Sequence, residues 1–142
     1  MTPRIWLGAG VLVLTGTLAL HVQADAAQES TVKAGIYSTE QAERGKATYD
    51  KICQSCHTFQ PSEKSKDNPD LGGDAFLSKW DKRSLHELAT VIYTNMPNDG
   101  SAVVSEAETA DLVAYILQQN KFPAGSQPFK WDASARKVLI VK

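Results

Sequence analysis

Cys53-Gln54-Ser55-Cys56-His57 sets two thiols three positions apart, with an imidazole directly behind the second. This C-x-x-C-H spacing is the attachment signature of a c-type haem. The two thiols add across the vinyl groups of the porphyrin, and the adjoining histidine gives the iron an axial nitrogen. A bare C-x-x-C would equally suit a redox dithiol or half of a zinc site. The histidine immediately after it is what separates these readings. In a chain with two cysteines and three histidines the arrangement has little chance of arising at random.

The rest of the inventory narrows the other axial position. Beyond Met1–Ala24 the chain retains one methionine, Met96, and two histidines, His57 and His86. A His/Met pair is a common ligand set for haem iron in electron carriers and raises its reduction potential. Met96 is followed by Pro97-Asn98-Asp99-Gly100, which stops a helix and favours a loop. A methionine in that setting is a poor core filler, although an ordinary buried methionine is the alternative. His86 sits midway along an expected helix and reads as a partly exposed helix residue.

These residues resemble the ligand motifs of the monohaem class I cytochromes c, across roughly residues 37 to 122. Cys53, Cys56 and His57 match that family's attachment motif, and Met96-Pro97 its second ligand motif. Asn68-Pro69-Asp70-Leu71-Gly72-Gly73 resembles its Gly-Pro-x-Leu-x-Gly segment, with Asn68 in place of the first glycine. The resemblance implies a small all-α fold whose N- and C-terminal helices cross around one covalently bound haem c and its iron. It also implies that the Pro69 carbonyl accepts a hydrogen bond from the His57 ring, which would orient the ring and tune its basicity. Trp80 would line the haem and donate toward a propionate; as a plain core aromatic it would bury a large area instead. Arg83 would either neutralise a propionate or lie at the surface.

A narrower similarity involves Ala75-Phe76-Leu77, Trp80 and the run from Asp111 to Gly125. This texture is similar to cytochrome subunits or domains associated with quinoprotein (PQQ-dependent) dehydrogenases. It implies such a dehydrogenase as electron donor, with a terminal oxidase or another cytochrome as acceptor.

Residues outside the motif set the context. Arg4 precedes Ile5 to Leu20, a run of 16 residues without charge, and Val22-Gln23-Ala24 offers a small-residue cleavage site. That is the layout of a secretory signal, and the run falls short of the ~20 residues needed to span a bilayer. Residues 1–24 are therefore expected to be a signal peptide and the protein periplasmic. An uncleaved segment would anchor it to the membrane instead. Residues 25–36 read as a linker or N-terminal arm, 37–122 as the cytochrome domain, and 123–142 as a tail. Phe129, Trp131 and Val138–Val141 are too apolar for a free tail, so it is expected to wrap the domain or to form a partner surface. The formal charge is −1, with no basic cluster to bind nucleic acid. A second C-x-x-C-H is absent from the sequence, so one haem is expected.

Helix signals are plain in three places. Ser38 should cap a first helix carrying Ala42, Gly45 and Tyr49 on one side. Ser84 should cap a second, with Leu85, Leu88 and Ile92 as an apolar stripe leading toward Met96. Ser105-Glu106-Ala107-Glu108 has the S-x-x-E form of a capping box and opens a third. Gly45 and Tyr49 match the positions where the family's first helix crosses its last, at Leu112 and Tyr115. Thr58 to Asp70 reads as a solvated loop, its lysines as surface charges.

The expected activity is one-electron transfer, without a catalytic residue. The alternative is a haem-based gas sensor or haem enzyme with an open sixth position. A haem-free dithiol protein or metal binder would need a βαβ context or a further ligand, and neither is evident in the sequence.

Overall fold

The computed structural model describes residues 30–142. The leader expected over residues 1–24 lies outside them. Four α-helices carry the fold: α1 (Thr39–Thr48), α2 (Gly73–Trp80), α3 (Leu85–Asn95) and α4 (Glu106–Gln119). Two-residue strands β1 (Ser30–Thr31) and β2 (Val138–Leu139) form one short parallel pair. The all-α expectation holds.

Side-chain caps fix where three of these helices begin. Ser38 precedes α1 in extended backbone and accepts from the Gln41 amide at 3.3 Å. Ser84 and Ser105 each form a complete capping box, with Glu87 and Glu108 returning to the cap amides at 2.9 Å. Sequence alone identified the box at Ser105 and only the cap at Ser84.

Helices α1 and α4 make the central crossing. Gly45 has no room for a side chain: a Cβ there would lie 1.9 Å from the Asp111 carbonyl oxygen and 2.9 Å from Tyr115 Cβ. The absence of that carbon lets the backbones touch, which outweighs the ~1 kcal/mol that glycine costs a helix. Around the contact, the rings of Tyr49, Phe59 and Tyr115 lie 5.0–5.4 Å apart pairwise. Arg44 closes the outer edge with a two-pronged ion pair to Asp111, both bonds 2.9 Å.

The segments flanking the helices are tied down. Val32 is fully buried, although it falls in the stretch 25–36 that carries no apolar periodicity. Tyr37 donates to the Phe122 carbonyl at 2.7 Å, and Gly125 N–H to the Tyr37 carbonyl at 2.7 Å. Buried Gln41 clasps the tail from both sides, donating to the Phe129 carbonyl (3.0 Å) and accepting from its amide (2.7 Å). Farther along, Ile140 is fully buried and exchanges backbone bonds with the turn between α2 and α3, through Lys82 and Arg83. Among the described residues no helix is long and apolar enough to cross a membrane.

Candidate haem site

The attachment residues sit where α1 loses its regular pitch. Tyr49–Cys53 form a wider π-type turn, closed by Gln54 N–H on the Tyr49 carbonyl at 3.0 Å. Such turns concentrate at functional sites because the extra residue redirects the side chains that follow. The Cys53 carbonyl then accepts from both Cys56 and His57 amides, at 3.1 and 2.9 Å. This tight turn puts the two thiols and the imidazole on one short segment. Cys53 is partly buried and Cys56 exposed, and both are free thiols. Burial, then the neighbouring Cys56 thiol, pushes the Cys53 thiol up to about 11.

A cleft opens beside this turn. Cys53, His57, Pro69, Trp80 and Met96 all reach its wall. The remaining wall is mostly carbon, from Phe76 on α2, Leu88 and Ile92 on α3, and Leu112 and Ile116 on α4. Cys56 lines the adjoining mouth with Pro97 and Asn98. All six residues singled out from sequence thus meet in one cleft and its mouth.

The His57 ring is fixed by a single polar contact. Its Nδ1 lies 2.8 Å from the Pro69 carbonyl oxygen. A carbonyl only accepts, so Nδ1 is the donor here, and Nε2 is the ring nitrogen left for a metal. The Tyr49 hydroxyl donates to the His57 carbonyl at 2.7 Å and steadies the backbone of the same residue. Burial raises the Tyr49 pKa above its usual 10, so that proton is firmly held.

Met96 caps the C-terminus of α3. Its amide still bonds to the Ile92 carbonyl at 3.1 Å, but its backbone is extended (φ −119°, ψ 139°), which carries the chain out of the helix before Pro97. Trp80 is buried at the end of α2, with Phe76 at 6.2 Å between ring centres and the Arg83 guanidinium 4.3 Å above its ring. Arg83 also reaches Glu87 at 3.3 Å, so its charge is shared at the surface. His86 is half-buried and faces Trp131 from the tail at 6.0 Å, outside the cleft wall.

The donor set fits a c-type haem: two thiols, one oriented imidazole, one thioether and carbon walls. Zinc fits less well. Among the described residues, His, Cys, Asp and Glu side chains nowhere gather in threes around a point able to hold a metal ion. Sequence reasoning gave Tyr49 a packing role alone and passed over Thr58 and Asn120, whose hydrogen bonds reach the His57 and Pro69 segments.

Fold and site together define a cytochrome c domain, an electron-transfer protein built on a covalently bound c-type haem and its iron. Residues 40–116 match the family described as cytochrome c oxidase, cbb3-type, subunit III, and the chain belongs to that family. No curated protein and no solved structure matches the chain.

Proposed function

We propose that this chain is a periplasmic one-electron carrier in which His57 and Met96 are the two axial ligands and Cys53 and Cys56 the thioether anchors. The observation that carries the reading is the shared cleft: Cys53, His57 and Met96 all line it, with His57 Nδ1 held by Pro69. Bound there, c-type haem supplies a one-electron ferrous/ferric couple. Pro69 sets the orientation and basicity of the His57 ring. The soft thioether of Met96 and the carbon walls favour the reduced, less charged state. Trp80, buried in the cleft wall, would cover the bound group and could offer its indole N–H to a propionate. Filling both axial positions with side chains leaves little room for substrate or gas.

Electron exchange takes place by brief docking at the cleft mouth near Cys53 and the exposed Cys56. Tyr93 and Val103 are exposed hydrophobics (43% and 91%) that line the same groove as Met96, giving a partner an apolar foothold. Transient redox contacts bury little area, under ~1,200 Å². A quinoprotein dehydrogenase is the proposed donor, on the texture of Ala75–Trp80 and Asp111–Gly125. A terminal oxidase is the proposed acceptor, and membership of a family described as an oxidase subunit supports that side of the chain of transfer. The leader-like Met1–Ala24 supports export, with membrane attachment if it stays uncleaved.

The test is Met96→Ala in the holoprotein. The oxidised wild type should show the weak ~695 nm band of thioether ligation. The variant should lose that band, keep its covalent haem by mass, and bind carbon monoxide when reduced. A wild type without the band that binds carbon monoxide readily would instead support the open-site reading.

A further inference from the structure

The geometry points to Asn120 as a positioning residue for the proximal imidazole, acting through the Pro69 loop to set the reduction potential. The inference deepens the proposed function and rests on His57 being an axial ligand.

Among the hydrogen bonds that shape the loop presenting the Pro69 carbonyl to His57, three bear on its placement. Leu71 N–H donates to the Thr58 carbonyl at 2.7 Å, and the Thr58 hydroxyl reaches Asp70 Oδ1 at 2.7 Å. Both come from the residue next to His57, so they would move with the histidine and cannot by themselves place the loop relative to the helices. The third comes from a different element. Asn120 Nδ2, at the end of α4, donates to the Leu71 carbonyl at 2.8 Å. Its second proton goes to the Ile116 carbonyl at 2.8 Å, in the last turn of α4. One amide group thus ties the loop two residues beyond Pro69 to the helix that supplies Leu112 and Ile116 to the cleft wall.

The chemistry favours asparagine for this task. Its planar NH2 offers two donors in a fixed fork, and here both point at carbonyl oxygens. Asn120 Oδ1 is buried without a donor among the described residues, an arrangement that opposes folding. A residue needed only to end a helix would not have to carry that burden, since glycine does it without a buried acceptor. Holding the Leu71 carbonyl is a function glycine cannot supply.

The direction of the effect follows from the His57–Pro69 bond. A well-placed carbonyl acceptor makes the imidazole a better electron donor and favours ferric iron. If the loop drifts, that bond lengthens, ferrous iron is favoured and the potential rises. Asn120→Leu and the near-isosteric Asn120→Asp should each shift the one-electron equilibrium three- to ten-fold toward reduction; tenfold corresponds to ~59 mV. The paramagnetically shifted His57 ring signals of the oxidised protein should move too, while the Met96 band persists. Ser105→Ala provides the control: it removes a cap from the same helix and should lower stability without moving the potential.

An unchanged potential and His57 signal in the Asn120 variants, with stability alone reduced, would make Asn120 a plain helix terminator. So would an equal shift in Ser105→Ala. Should neither Asn120 variant mature, exchange of the Asn120 side-chain amide protons in the wild type decides the matter: slow exchange supports the bond to Leu71, and exchange at the rate of free asparagine overturns it. A wild type lacking histidine-ligated haem would remove the functional reading itself, an outcome visible before any Asn120 variant is made.

Discussion

At the residue scale the two axial candidates are held in unequal ways. His57 is embedded in a turn, with its ring on Pro69 and its carbonyl on the Tyr49 hydroxyl. Met96 is held by its backbone at the end of α3, so its side chain is the freer of the two. Removing the thioether should therefore leave the fold intact and act on the iron. Met96→Ala is expected to lower the reduction potential by on the order of 100–300 mV, a part of the ~0.8 V that axial ligands command. Spectroelectrochemical titration of the holoprotein measures this directly. His57→Ala should be more severe and prevent a stable holoprotein from accumulating. Cys53→Ala and Cys56→Ala should each retain at most one thioether, as acid-acetone extraction and mass spectrometry would report.

At the scale of the elements, the α1–α4 crossing and the capping boxes have separate signatures. Gly45→Ala would drive a methyl group into the Asp111 carbonyl, and a cost of about 3 kcal/mol is expected by denaturant unfolding. Ser84→Ala and Ser105→Ala should each cost about 1 kcal/mol. The boxes also set an acid limit. Hydrogen bonds from the Ser84 and Ser105 amides are the largest influence holding Glu87 and Glu108 below the ordinary glutamate value of 4.5. A carboxylate whose pKa is lower folded than unfolded adds stability that is complete above the unfolded value and lost as pH falls through the folded one. Stability should therefore be flat from pH 7 to about 5 and decline below 4.5, with a shallower decline in Glu87→Gln and Glu108→Gln; urea midpoints across that range would show it.

Most of this element scale could be seen in the sequence. Ser38, Ser84 and Ser105 announce helix starts because a cap is a contact over three residues. The stripe Leu85, Leu88 and Ile92 gives α3 its buried face, and Pro97 marks where it must release Met96. The π-type turn at Tyr49–Cys53 could not be foreseen, since its side chains are those of any helix and only the pitch differs. Asn120 escaped notice for another reason. Its partner Leu71 is 49 residues away, and asparagine at a helix end is unremarkable by composition.

At the scale of the whole molecule, the tail is the least predictable part and bears heavily on stability. Gln41 and Phe129 are 88 positions apart, and no periodicity links them. Their two buried hydrogen bonds are nonetheless what seats the tail on α1. Gln41→Leu would leave the Phe129 amide and carbonyl unpaired, and a loss of about 2–3 kcal/mol is expected in thermal or denaturant unfolding. Deleting residues 126–142 should lower stability further by removing buried Phe129, Ala135 and Ile140 from the core. The haem would still be retained, because its bonds to the chain are covalent.

The parallel pairing of Ser30–Thr31 with Val138–Leu139 has a topological consequence. Lys142 Nζ reaches Ser78 while its carbonyl accepts from Lys33, so the last residue lies only a few positions along the ribbon from Ser30. Four residues of extended chain cover roughly 13 Å. A linker of about six to eight residues would thus join Lys142 to Ser30 without distorting either strand. Such a circular permutant of residues 30–142, reopened at the exposed Gly100 turn and exported behind an added leader, should mature and carry electrons, since these residues already form an almost closed loop.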